Sequence, residues 1–311
     1  SERHAQHSHD RKSMNRNSTK HRVVITGYGM ITPLGRNTEE TFTRASRGMS
    51  GIDTITSFDT SGLPCRIGGQ VKDPWLEEEH DVKAERFYKF SSRGLRLMRK
   101  AAAEAALQAR LDELSDRERI GVALGFHGDN ASVEDIMFLH RFYDGKGTWD
   151  VKGLMDSGGY SYLNFFRRKP DVATSILSML FHCKGPNLTV ASACAAGSQA
   201  IGEAYRYIQQ GKADVMIAGG SESTLNFLGF IGFVLIKALV ERYTTPQKAS
   251  RPFDRKRNGF VMSEGAGAVI LEGLEHARSR GVPILGELLG YGASADAYRI
   301  TDTHPKGLGA I

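Results

Sequence analysis

The 311-residue chain is 40% hydrophobic and 24% charged, enough for one large α/β unit or two ordinary domains with real cores, and neither a disordered chain nor a fibre fits that balance. Its net charge of +6 is concentrated in residues 1–22, where six Lys and Arg face only Glu2 and Asp10, so the remainder lacks the basic excess of a nucleic-acid-binding protein. The longest apolar run, Phe227 to Ile236, stops at Lys237, well short of the roughly 20 residues of a membrane span, and the chain reads as a soluble protein.

Residues 1–20 are rich in Ser, His, Asn, Arg and Lys without apolar periodicity and read as a disordered tail, with Met14 a candidate start. The tail has no apolar segment of a secretory signal, and its His4, His7 and His9 read as solvated rather than as a metal site. From His21 the pattern changes. His21-Arg-Val-Val-Ile-Thr-Gly27 is a β-branched run ended by glycine, and Gly27 to Gly35 is expected to turn twice before a helix starting at Thr38. An alanine-rich helix is expected over 87–109, a buried strand over 119–125, and an irregular insertion with short helices over 126–170. A helix at 172–181, a strand at 187–193, a helix at 195–210 ended by Gly211 and a strand at 214–219 follow. A strand at 267–272, a helix at 274–280 and a strand at 284–291 complete the series. Alternating strands and helices predict a layered α/β fold.

The three cysteines, Cys65, Cys183 and Cys194, stand at unrelated spacings with no CxxC pair, which argues against a disulfide framework or a zinc site and for a reducing, cytoplasmic setting. Cys194 differs from the other two in position. In Leu188-Thr-Val-Ala-Ser-Ala-Cys194-Ala-Ala-Gly-Ser-Gln it falls at the junction of a strand with the following helix, where unpaired N–H groups and the helix dipole favour an anion and bias a thiol toward thiolate. Small neighbours allow a sharp turn and a close substrate, and the Cys194 backbone N–H is a candidate oxyanion donor. For an arbitrary protein, a cysteine here is more often a small buried hydrophobe.

The surrounding segments decide between the two readings. Val-Ala-Ser-Ala-Cys194-Ala-Ala-Gly, followed twenty residues later by Ala213-Asp-Val-Met-Ile-Ala-Gly-Gly-Ser-Glu-Ser, closely resembles the β-ketoacyl synthases of fatty acid and polyketide synthesis. Arg22-Val-Val-Ile-Thr-Gly-Tyr-Gly-Met-Ile-Thr-Pro-Leu-Gly35, the segment Ala249 to Gly267 and Gly290-Tyr-Gly-Ala-Ser-Ala-Asp-Ala-Tyr298 carry the same resemblance, most nearly to the type II elongating enzymes. It implies a thiolase-like fold of mixed five-stranded sheets with helices between and around them, the first half complete over 21–272 and the second only begun over 273–311.

The resemblance also implies a chemistry. Cys194 would accept an acyl chain from the phosphopantetheine thioester of an acyl carrier protein, and decarboxylation of a malonyl carrier protein would then supply the carbanion that attacks it. No metal or dissociable cofactor is expected. The family pairs its cysteine with histidines in His-Gly-Thr and Gly-His motifs, and neither motif occurs in this sequence. The chain is therefore expected to be truncated before them, and His127, His182 and His276 are not recruited in their place.

Counting from Cys194, Phe233 matches an aromatic lining the acyl pocket, although core packing explains it equally. Lys83, Arg86 and Lys237 match basic positions that contact the acidic carrier protein, where the simpler reading is solvated surface charge. Asp254, Glu264, Gly265 and Gly267 are expected to be structural, the glycines permitting tight backbone packing. The expected assembly is a homodimer or a pairing with a complementing C-terminal portion. A non-catalytic partner subunit like the chain-length factors of polyketide ketosynthases is the alternative, and a cysteine hydrolase would need a partner histidine that the sequence does not place.

Overall fold

The computed structural model describes residues 21–72, 76, 86–300 and 302–310. The tail expected over 1–20 and the candidate Lys83 lie outside the described residues.

The first strand, β1 (Val23–Ile31), is longer than its sequence suggested. Gly27 and Gly29 do not turn the chain. They let a helix lie directly on the strand, because a Cβ on Gly27 would lie 2.1 Å from the Ala105 carbonyl oxygen and one on Gly29 2.2 Å from that of Ala101. After α1 (Thr38–Ser46), capped by the Asn37 side chain, the short strands β2 (Ile52–Thr54) and β3 (Ile67–Gly69) pair as a separate two-stranded sheet. The helix expected from residue 87 begins later, as α2 (Arg93–Gln108). The chain first turns at Phe87–Ser91, and the Ser92 side chain then accepts the Leu95 N–H as a new N-cap.

Strand β4 (Ile120–Gly125) leads into the region 126–170, which carries the short helices α3 (Val133–His140), α4 (Val151–Ser157) and α5 (Leu163–Arg167). Arg168 joins the two ends of this region by pairing with Asp135 and donating to the Tyr160 hydroxyl at 2.8 Å. Regular alternation resumes with α6 (Asp171–Leu180), β5 (Asn187–Val190), α7 (Ala196–Gln209), β6 (Val215–Glu222) and α8 (Phe227–Leu235). Strand β7 (Gly265–Gly273), helix α9 (Leu274–Arg280) and strand β8 (Gly286–Leu288) follow.

These strands make one mixed sheet in the order β5-β4-β6-β7-β1-β8. β4 runs parallel to β5 and β6, whereas β7 is antiparallel to β6 and β1, and β8 is antiparallel to β1. The α/β layering agrees with the sequence, and a sixth strand from beyond residue 273 joins the five of the first half at the β1 edge.

The two faces of the sheet bury different side chains. Ile120, Val122 and Leu124 of β4, with Val215 and Ile217 of β6, pack against Leu95, Met98 and Ala101 of α2 and Ile176 and Leu177 of α6. The opposite face carries Ala123, Met216 and Ala218 against Ala200, Ala204 and Ile208 of α7. A third cluster, with Ile55, Cys65, Ile67 and Phe230, fills the space beneath the small sheet.

Two buried carboxylates tie the layers together. Glu264 accepts both the Arg93 guanidinium, at 2.7 and 2.8 Å, and the Val71 N–H and Ser223 hydroxyl, at 2.8 and 2.7 Å, so it is structural as expected. Gly265 is tightly placed, its missing Cβ 2.9 Å from the Ile31 carbonyl oxygen, but a Cβ on Gly267 would meet open space, which removes tight packing as the explanation for that glycine. Glu272 is fully buried and bonded to Thr26, His276 and Arg280. His276 is thus held by a core carboxylate rather than standing on a free helix surface. Burial pushes the Glu272 carboxyl up, but the hydrogen bonds from His276 and Arg280 and the Arg280 charge outweigh it and hold the group below the ordinary glutamate range.

Two outcomes follow for stability. Gly27→Val should destabilise the fold by about 2–3 kcal/mol in urea titration, because the added side chain collides with backbone rather than with a flexible tip. A depressed folded pKa gives stability that is present above the unfolded glutamate value and is lost as pH falls through the folded one. Thermal unfolding of the unmodified chain should therefore show an acid-dependent loss below about pH 4.3. Glu272→Gln should reduce that loss while costing about 3 kcal/mol at neutral pH.

Candidate active site

The side-chain alternation of β4 explains where Cys194 sits. Its large residues, Ile120, Val122 and Leu124, occupy one face, and Gly121, Ala123 and Gly125 the other. The small face leaves room for α7, and the room increases along the strands. Met216 fills the space beside Gly121, its sulfur 2.4 Å from where a Cβ would be, while at the carboxyl ends a Cβ on Gly125 would lie 2.4 Å from Ala196 C and Gly197 N. One on Gly220 would lie 3.1 Å from Gly197 Cα. The first turn of α7 therefore rests directly on the carboxyl ends of two parallel strands, the usual place for ligands in open α/β sheets.

Strand β5 ends at Val190, three residues earlier than its sequence suggested, because the chain must turn to enter α7 from this position. Ser192 leaves the extended region, Ala193 takes φ 49, and Ala193–Ala195 form a single 3-10 turn. A left-handed alanine is uncommon and strained, and here it lifts Cys194 out of the sheet. The Cys194 residue is exposed, whereas Cys65 and Cys183 are buried. No side chain caps α7 among the described residues; the N–H groups of Ala195 and Ala196 donate to the Ser192 and Ala193 carbonyls, and the positive end of the helix dipole lies beside the thiol.

The other expected site residues lie elsewhere. Phe233 on α8 is half-buried in the cluster under the small sheet, edge-on to Phe260 at 5.5 Å. Lys237 follows α8 with φ 56 and is exposed, and Arg86 is exposed beside Phe87. A cavity of about 670 Å3 is lined by Ser294, Asp296, Tyr298 and Asp302, and one of about 300 Å3 by Arg251, Arg257 and Phe260. Cys194 lines neither.

The structure adds residues that the sequence reading passed over. Gly125 pairs with Gly220 across β4 and β6, and two positions further on stand Glu222, the last residue of β6, and His127, two residues past the end of β4. Residues two apart on a strand share a face, so Glu222 projects from the α7 side, and the His127 imidazole lies beside it. His127 Nδ1 lies 3.7 Å from Glu222 Oε2. Nearby Asp129 is half-buried. Burial pushes both carboxyls above their ordinary range, with His127 opposing the shift at each. The matching Gly-x-His and Gly-x-Glu spacings were present in the sequence, but nothing local in it aligned the two strands.

Comparison with known proteins agrees with this architecture. Residues 20–277 match the model of the family described as β-ketoacyl synthase, N-terminal domain. A 3-oxoacyl-(acyl-carrier-protein) synthase 2 from Staphylococcus aureus is 37% identical over 295 residues, covering 94% of this chain and 67% of that protein. The synthase of the same name from Synechocystis sp. is 38% identical over 303 residues, covering 94% and 68%. Among solved structures, a β-ketoacyl synthase from Burkholderia phymatum superposes with TM-score 0.75 at 29% identity, covering 90% of this chain and 66% of the other. This chain thus spans about two thirds of the length of these relatives.

Thiol reactivity gives a direct check on the placement. Burial pushes the Cys183 thiol up to about 12, against a smaller opposing effect of Arg117, and burial likewise raises Cys65. Iodoacetamide at about pH 8 should alkylate Cys194 in the native chain and reach the other two only after unfolding, as read by peptide mass spectrometry. Alkylation spread evenly over the three would contradict the burial pattern.

Proposed function

The chain belongs to the β-ketoacyl synthase family, and from that membership we propose that it performs the family's acyl transfer and decarboxylative condensation through Cys194. The observation that carries the proposal is the exposed thiol on a strained turn, set at an uncapped helix start over the ends of parallel strands. In the first half-reaction the Cys194 thiolate attacks the carbonyl of an acyl thioester borne by the phosphopantetheine of an acyl carrier protein. The oxyanion that forms is within the field of the α7 N-terminus, with the Cys194 N–H as the assigned donor. Collapse forms the acyl–Cys194 thioester, breaks the bond to phosphopantetheine and releases its thiolate, which takes up a proton.

In the second half-reaction a malonyl carrier protein loses CO2, and the resulting carbanion attacks the acyl–Cys194 carbonyl and expels the Cys194 thiolate. The family's His-Gly-Thr and Gly-His motifs are not in this sequence, so the step assigned to the residues described here is the acyl transfer. The reading includes no cofactor beyond the phosphopantetheine carried by the substrates, a cytoplasmic setting, and assembly as a homodimer or with a complementing C-terminal portion. Phe233 is assigned to the apolar part of the acyl pocket, and the exposed Arg86 and Lys237, with Lys83, to the acidic carrier protein. No helix among the described residues is long and apolar enough to cross a membrane. The cysteine itself argues against a non-catalytic partner subunit.

The test is incubation of the chain with an acyl-carrier-protein thioester, followed by peptide mass spectrometry. The acyl mass should appear on Cys194 and be absent in Cys194→Ala. A folded chain that stays unmodified would overturn the proposal.

A further inference from the structure

The side chains nearest the start of α7 are polar. The carboxyl ends of β5, β4 and β6 lead to Ser192, His127 and Glu222, and the register of β4 with its two neighbours brings these ends level: Gly125 is opposite Val190 on one side and Gly220 on the other. Alternation sends Phe126 to the far face, where its ring lies 3.1 Å from the place of a Gly94 Cβ. The face shared with Cys194 therefore presents His127 instead of an aromatic hydrocarbon.

We propose that His127 and Glu222 form a polar wall of the acyl site, selecting a chain that carries a hydrogen-bonding group, a hydroxyl or oxo, close to its thioester over a plain saturated chain. The inference rests on the acyl-transfer reading and specifies its substrate class. Three observations support it. His127 and Glu222 keep roughly half of each side chain accessible, at 47% and 49%, although they face each other at 3.7 Å, so each retains hydrogen-bonding capacity toward a ligand. The Oγ atom of Ser192 is buried without a partner among the described residues, and an unpaired buried hydroxyl is costly unless a ligand or water satisfies it. The Glu222 and Asp129 carboxyls, which burial pushes above their ordinary range, add hydrogen-bonding oxygens beside the imidazole.

The groups that face this wall are accounted for. Asp129 disfavours ionisation of Glu222, and His127 together with Arg167 and Arg168 favours ionisation of Asp129. Asn130 meets α8, its amide nitrogen 3.0 Å from the place of a Gly229 Cβ. The polar wall thereby adjoins the helix that carries Phe233, the residue assigned to the apolar remainder of the chain.

A site built to hydrogen-bond a substrate group rejects the analogue that lacks it much more strongly than an apolar pocket rejects an added hydroxyl. The test uses the chain with two synthetic pantetheine thioesters of equal length, hexanoyl and 3-hydroxyhexanoyl, and follows loading of Cys194 by intact-protein mass spectrometry. The hydroxyacyl group should load at least about tenfold faster, and the ratio should fall toward one in His127→Leu and in Glu222→Gln. Circular dichroism and iodoacetamide alkylation of Cys194 show whether each variant is folded, and either variant alone suffices for the comparison. Equal loading of the two thioesters by the unmodified chain, or a preference unchanged in the folded variants, would overturn the inference alone. Failure of both thioesters to load would overturn the acyl-transfer reading and this inference with it.

Discussion

A methyl group at Gly125 would stand 2.4 Å from the backbone of Ala196 and Gly197, a separation that side chains do not tolerate, and the position of the active cysteine depends on this contact. Helix α7 cannot rest on the sheet at a side-chain-filled strand. The small face of β4, continued by Ala218 and Gly220 of β6, brings the helix start down to the strand ends, while Met216 holds its other end away. Lowering one end of the helix forces the preceding chain into a short reversal, and the left-handed Ala193 absorbs it. Cys194 is exposed at the start of the helix as the geometric consequence.

The rest of the molecule holds this arrangement from its edges. Gly27 and Gly29 press α2 onto β1, and the buried Glu272 joins β1 and β7 to α9 through Thr26, His276 and Arg280. Glu264 does the same near the carboxyl end of β6, linking Ser223 to Arg93 at the start of α2. Breaking either carboxylate's contacts leaves charges buried without partners, so these links fix geometry even where their net stabilisation is small.

The order of helices and strands was legible because each element carries its own periodicity, and the Cys194 segment because the small residues that shape it are contiguous. The misread features all depend on distant chain. Gly27 and Gly29 looked like turn residues until α2, far along the sequence, came to lie over them. The pairing of His276 with Glu272 had no local signal, because Glu272 is buried by a sheet that the helix alone does not reveal. His127 and Glu222 gave no local signal, since their meeting depends on the register between β4 and β6. Phe233 remained ambiguous for a related reason: an apolar helix facing a satellite core and one facing a substrate have the same residue pattern.

Helix proximity, more than any one polar group, places Cys194 for reaction, and Gly125→Ala removes that proximity. The measurement is the rate of acyl transfer from a carrier-protein thioester to Cys194 in that variant, alongside hydrogen-exchange protection of β4 and β6. The sheet should stay protected while transfer slows by about 100-fold, as a displacement on the order of 1 Å allows. Transfer at the unmodified rate in a protected sheet would contradict it.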